Sequence, residues 1–144
     1  MMKIRLWSGM ILAAAAFSSD ATELVVHVGH VEGEQGFVCV AVYRTESGYL
    51  APDDAKAFRR ARVPAHSPDV VIRFPEVPAG KYAIKVFHDE NGDGTLNRNF
   101  LGAPTEPYGI SNAARARFSL PPFADALIAV ENAVTETYID LARH

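Results

Sequence analysis

Apolar and polar residues follow one another along this chain mostly in steps of two, the period that puts alternate side chains on opposite faces of an extended strand. Residues 23–31 (Glu-Leu-Val-Val-His-Val-Gly-His-Val) are rich in β-branched side chains and predict a first strand. The turn-forming run Glu32-Gly33-Glu34-Gln35-Gly36 leads into residues 37–43 (Phe-Val-Cys-Val-Ala-Val-Tyr), a second strand closing a hairpin with the first. That strand is apolar on both faces, which predicts a central place in a sheet. Residues 70–74 and 80–88 predict a third and a fourth strand. In the fourth, Tyr82, Ile84, Val86 and His88 share one face, and Ala83, Lys85 and Phe87 the other. A short strand is expected over 115–119, and a closing hairpin over 124–131 and 134–141.

Two stretches break the alternation. Pro52-Asp53-Asp54 predicts the cap of one short helix over 55–61. Arg59, Arg60 and Arg62 would then form a solvated helix face or, alternatively, an anion-binding or membrane-surface patch. Residues 100–114 are too polar and proline-rich for regular structure. The pattern sums to an all-β fold, a seven-stranded antiparallel β-sandwich with one short helix.

Length and charge narrow the setting. A chain of 144 residues suffices for one domain with its own core, and it shows neither repeats nor a linker. Lys3 and Arg5 precede an apolar stretch over 6–17 and then Ser18-Ser19-Asp20-Ala21, the order of a secretory signal peptide. The stretch falls short of the about 20 residues a membrane span takes. Residues 1–21 are therefore expected to be a removed leader. Residues 22–144 are expected to be a single domain in the periplasm or outside the cell, with no transmembrane segment. A net charge of −3, with no basic run past the leader, excludes nucleic acid as a main partner. Cys39 is the single cysteine and is expected as a small core residue.

The chemistry concentrates in Asp89-Glu90-Asn91-Gly92-Asp93-Gly94-Thr95-Leu96-Asn97-Arg98-Asn99. Oxygen-bearing side chains at alternate positions can curl round one hard cation, and a glycine allows the sharp turn between them. On a twelve-position calcium loop, Asp89, Asn91 and Asp93 take positions 1, 3 and 5, Gly94 position 6 and the Thr95 carbonyl position 7. Position 12 carries Phe100 where a glutamate should stand, and the flanks do not predict helices. Asn97, water or a distant carboxylate such as Glu106 would have to complete the shell, and affinity would be weak, about 10⁻⁴ to 10⁻³ M. The competing interpretation is a metal-free turn, since Asp, Asn and Gly favour turns regardless of any ion. No pair of histidines has zinc-site spacing, and Ser111 lacks the flanking glycines of a nucleophile elbow.

Over residues 78–126 the chain resembles a bacterial secreted family, the domain-of-unknown-function 2141 family. The resemblance rests on Pro78-Ala79-Gly80-Lys81-Tyr82-Ala83, Phe87-His88-Asp89-Glu90-Asn91-Gly92-Asp93-Gly94 and Asn99-Phe100-Leu101-Gly102-Ala103-Pro104. It continues in Glu106, Tyr108-Gly109-Ile110-Ser111-Asn112 and Pro121-Pro122-Phe123-Ala124-Asp125-Ala126. Asn97 stands where the family often has an aspartate, and Leu120 where a glycine is common. The resemblance implies a prealbumin-like or immunoglobulin-like sandwich in the cell envelope and no established activity.

Three functions are compatible with these residues. The first is a non-catalytic module whose calcium-ordered loop, with His88, Tyr108, Ser111 and Asn112 near it, binds an envelope or extracellular polymer or protein. The second is a metal-assisted hydrolase using His88 and the acidic loop. The third is a purely structural envelope protein. The first leads because no catalytic constellation can be assembled.

Overall fold

The computed structural model describes residues 21–115 and 120–143, so the expected leader lies outside the described residues apart from Ala21. These residues form an all-β fold of two sheets. In the smaller sheet, β1 (Ala21–Gly29) lies between β4 (Val70–Pro78) and β8 (Val134–Asp140). In the larger, β3 (Arg59–Pro64), β2 (Phe37–Tyr43), β5 (Gly80–Asp89) and β6 (Tyr108–Ile110) stand side by side in that order, with β7 (Ile128–Val130) also on β5.

Alternation builds the core. Leu24, Val26 and Val28 of β1 and Ile72 and Phe74 of β4 point inward and meet Val38, Val40 and Val42 of β2 and Tyr82, Ile84 and Val86 of β5. Burial of each such side chain is worth about 1.5–3 kcal/mol relative to leaving it exposed. The sheets therefore do not rely on the polar loops for stability. The apolar second face of β2 is also used: Ala41 and Tyr43 pack with Tyr49, Ala83, Ile110 and Ala126 in a second buried cluster. Two short helices, α1 (Glu46–Leu50) and α2 (Phe123–Ala126), cover it. Both the central place of β2 and its two buried faces agree with the sequence, but the hairpin expected between the first two strands does not form, because β1 and β2 lie in different sheets.

Several expectations are corrected. The helix expected over 55–61 is absent: Asp53 caps only a single 3-10 turn, Asp54–Lys56, by accepting from the Ala55 N–H at 3.0 Å. The Phe58 N–H then donates to the Val42 carbonyl at 2.7 Å and draws the next residues onto the edge of β2 as β3. Arg60 and Arg62 consequently project from a strand, not from a helix. The strands are not all antiparallel as expected, because β8 runs parallel to β1. Nor do 124–131 and 134–141 close a hairpin: the first stretch splits into α2 and β7, β7 pairs with β5, and β8 joins the other sheet. Within the stretch expected to be irregular, β6 forms on the edge of β5. Most of the strand expected over 115–119 lies outside the described residues, and Arg115 is in no strand. The described residues thus hold eight strands rather than seven.

Candidate metal centre

The period of two along β5 sets the site. His88 falls on the face of Tyr82, Ile84 and Val86, while Asp89 falls on the outer face with Lys85 and Phe87. Both His88 and Asp89 are completely buried. After Asp89 the chain must reverse, and Gly94 does so at φ +81° while its N–H donates to Asp89 Oδ2 at 2.8 Å. The turn between β1 and β2 fits closely around this point. At Gly36 (φ +77°) a Cβ would stand 2.0 Å from the Asp89 carbonyl oxygen, so only glycine fits.

Within the reversal, short polar side chains organise the backbone. Asp93 Oδ1 accepts from the Thr95 N–H at 2.9 Å, and Asp93 Oδ2 from Asn97 Nδ2 at 2.8 Å and Asn91 Nδ2 at 3.3 Å. Asn91 Oδ1 accepts from the Asp93 N–H at 3.3 Å. Those bonds, the Thr95 N–H first, hold the Asp93 carboxyl down at about 2, so it is ionised at neutral pH. Glu106, 5% exposed, ties the two ends of the loop: Oε2 accepts from the Glu90 N–H at 2.6 Å and Oε1 from the Asn97 N–H at 2.9 Å.

One carboxylate oxygen each from Asp89, Asp93 and Glu106 lies within 4.8 Å of the others. Two further observations define the electrostatics there. Asp89 Oδ1 and Asn97 Oδ1 are both buried without a hydrogen-bond partner, a costly state for a polar oxygen. Arg62 brings a positive charge beside them, its Nη2 3.6 Å from Asp89 Oδ2 and donating to the Gly92 carbonyl at 3.0 Å while its guanidinium stacks 3.9 Å over Phe37. The donor set is all oxygen, which suits a hard cation and not zinc. Arg62, the cation nearest Asp89 here, balances only part of the acidic charge.

The sequence candidates divide accordingly. Asp89, Asp93, Asn97 and Glu106 come together. Asn91 is exposed and bonds back to Asp93, and Thr95 enters through its N–H. Phe100, at the position where a calcium loop would carry glutamate, is 96% exposed, and Glu106 brings the carboxylate instead.

His88 is turned to the other face of the strand, where Nε2 meets the Gln35 carbonyl at 2.6 Å and buried Nδ1 has no partner. Ser111 is buried and structural: it accepts from the Ile84 N–H at 2.8 Å and donates to the Ala126 carbonyl. Tyr108 lies on β6, bridged through its backbone to Ala142. Asn112 is exposed and donates to the Asp125 carbonyl at 2.9 Å.

The sequence placed Arg62 in a basic cluster and Gly36 in a turn but linked neither to the acidic loop, and it did not single out Arg143. Arg143 donates from Nη2 to Glu90 Oε1 and Oε2 at 2.9 and 2.8 Å, from Nη1 to the Thr105 carbonyl at 3.0 Å and from Nε to Glu32 at 3.2 Å. It clamps both sides of the loop from the far end of the chain. No local pattern could have signalled a contact made only by the folded topology.

A family model described as "Uncharacterized protein conserved in bacteria (DUF2141)" matches residues 26–138. Among curated proteins and among solved structures nothing matches the chain.

Proposed function

The chain belongs to this uncharacterised bacterial family, and from the geometry of its loop we propose a non-catalytic envelope or extracellular module that holds a calcium ion through Asp89, Asp93, Asn97 and Glu106. The ion orders the loop end of the fold, which then meets a polymer or protein partner. The single observation that carries this is the pair of buried, unpartnered oxygens, Asp89 Oδ1 and Asn97 Oδ1, beside three converging carboxylates. A cation satisfies both oxygens at once and relieves the crowding of like charges. Calcium suits this irregular, amide-containing set better than magnesium, which demands a small, regular octahedron. Two sheets over one core fit the prealbumin-like or immunoglobulin-like sandwich that the resemblance implies, and export by the leader would place the module where calcium is abundant.

The hydrolase receives no support from the geometry. His88 is buried on the opposite face from the carboxylates, and the Ser111 hydroxyl is engaged with Ile84 and Ala126. The test is calorimetric titration of the mature protein with calcium and with magnesium. The expected result is one calcium site per chain with Kd about 10⁻⁴ to 10⁻³ M and weaker magnesium binding. Absence of a calcium isotherm at ten-millimolar scale would leave the loop as a metal-free turn.

A further inference from the structure

Arg62 reaches the acidic loop from the edge strand β3, and its place there is fixed by register. The β3–β2 ladder pairs Arg62 with Cys39 and the β2–β5 ladder pairs Phe37 with Asp89, so Arg62 and Asp89 stand on the outer face of the larger sheet with Phe37 between them. The guanidinium lies 3.9 Å over the Phe37 ring, and its Nη2 donates to the Gly92 carbonyl at 3.0 Å while standing 3.6 Å from Asp89 Oδ2. The two oxygens of the Asp89 carboxylate are thus in different states. Oδ2 accepts the Gly94 N–H at 2.8 Å and faces the guanidinium, whereas Oδ1, in a side chain with no exposed surface, has no partner.

We infer that Arg62 sets the affinity of this loop for its cation, neutralising Asp89 in the ion-free chain and opposing the ion once it is bound. The inference rests on the calcium reading given above. An ion that takes Oδ1 shares one carboxylate with a guanidinium already held at Oδ2, and the two cations repel. Arg62 does not retreat freely, because withdrawal forfeits both the Phe37 face and the Gly92 carbonyl. Asp89 is fully buried, so it feels both charges partly through protein rather than water. The Arg62 side chain is 46% exposed, and solvent screens the repulsion without abolishing it. The expected effect is therefore a graded one, about tenfold in Kd. In exchange, the ion-free loop does not carry Asp89 as a buried, uncompensated charge, a strongly destabilising state.

The test is calorimetric calcium titration of the mature wild type, Arg62→Gln and Arg62→Lys, paired with thermal melts in chelator and in calcium. Arg62→Gln is expected to bind calcium about tenfold more tightly than wild type, and Arg62→Lys, which keeps the charge, to stay within about threefold of wild type. In chelator Arg62→Gln should melt below wild type, because Asp89 has lost its counter-charge. At a calcium concentration ten times the wild-type Kd, a tenfold tighter site makes the calcium-induced rise in Tm about twice that of wild type. A calcium isotherm in wild type with an unchanged Kd in Arg62→Gln overturns the inference and leaves the calcium reading standing. No isotherm in either protein overturns both. Equal tightening in Arg62→Lys and Arg62→Gln, or an Arg62→Gln melt in chelator no lower than wild type, also overturns the inference, since charge would then not be the cause.

Discussion

Replacing Asp89 by asparagine separates its proposed ion-binding role from its role in the turn. The carboxamide oxygen can still accept the Gly94 N–H, which Asp89 now binds at 2.8 Å, so the reversal keeps its shape. What disappears is one of three converging carboxylates and the charge at a buried, unpartnered oxygen. Because an ion held there binds only the folded chain, wild type gains RT ln 11, about 1.4 kcal/mol, at a free calcium concentration ten times Kd. For a domain near this size that raises Tm by about 3–6 °C. With Kd at the weak end expected for such a loop, about 10 mM calcium reaches this condition. The assay is a thermal melt monitored by circular dichroism, in chelator and in calcium, with sodium chloride matched for ionic strength. The wild-type midpoint should rise by that amount and the Asp89→Asn midpoint by less than about 1 °C, both proteins keeping the same folded spectrum. Equal shifts in the two proteins would mean that calcium acts elsewhere, and an unmoved wild type would mean that the loop needs no ion.

The same contacts set three further outcomes. Gly36→Ala puts a methyl group 2.0 Å from the Asp89 carbonyl at φ +77°, and should lose more than about 1 kcal/mol of stability in urea unfolding along with the calcium response. Ser111→Ala leaves the buried Ile84 N–H without its acceptor and should lower stability by about 1–3 kcal/mol, read in the same urea experiment, without altering any activity as a nucleophile's loss would. The Asp93 carboxyl is depressed relative to the unfolded chain, so its contribution to stability is complete above the ordinary carboxylate range and is lost as pH falls through about 2. A carbon-detected NMR titration in chelator should show that low midpoint, and a midpoint near 4 would contradict the Thr95 and Asn97 bonds.

Much of the fold was legible because its strands obey the period of two. β1, β2, β4 and β5 lie close to where the alternating apolar residues place them, and the double apolar face of β2 announced its position. β3 was not legible. Asp53 does cap a turn, but the strand after it is started by a backbone bond from Phe58 to Val42, a partner the local sequence does not reveal. The last strands failed for a similar reason: the segment before β7 is tied down by Ser111 and Asn112, which bond to the Ala126 and Asp125 carbonyls. At the candidate site, the spacing singled out Asp89 and Asp93, two of the three carboxylates that converge, and the lack of a glutamate at position 12 pointed to Glu106, the third. The contacts that Arg62 and Arg143 make with the loop stayed hidden because long cationic side chains carry no periodic signal.

The parallel register between β1 and β8 bears on when this protein can fold. Among the described residues, the middle strand of the smaller sheet is the first strand, and one of its two flanks is the last, Val134–Asp140. A nascent chain that has not yet released that segment holds β1 with one ladder of hydrogen bonds unmade, whatever the rest has achieved. Contacts of such long sequence separation carry a loop-closure penalty and form slowly. The smaller sheet is therefore completed only once Val134–Asp140 is free to pair, so its closure waits on the late-made end of the described fold.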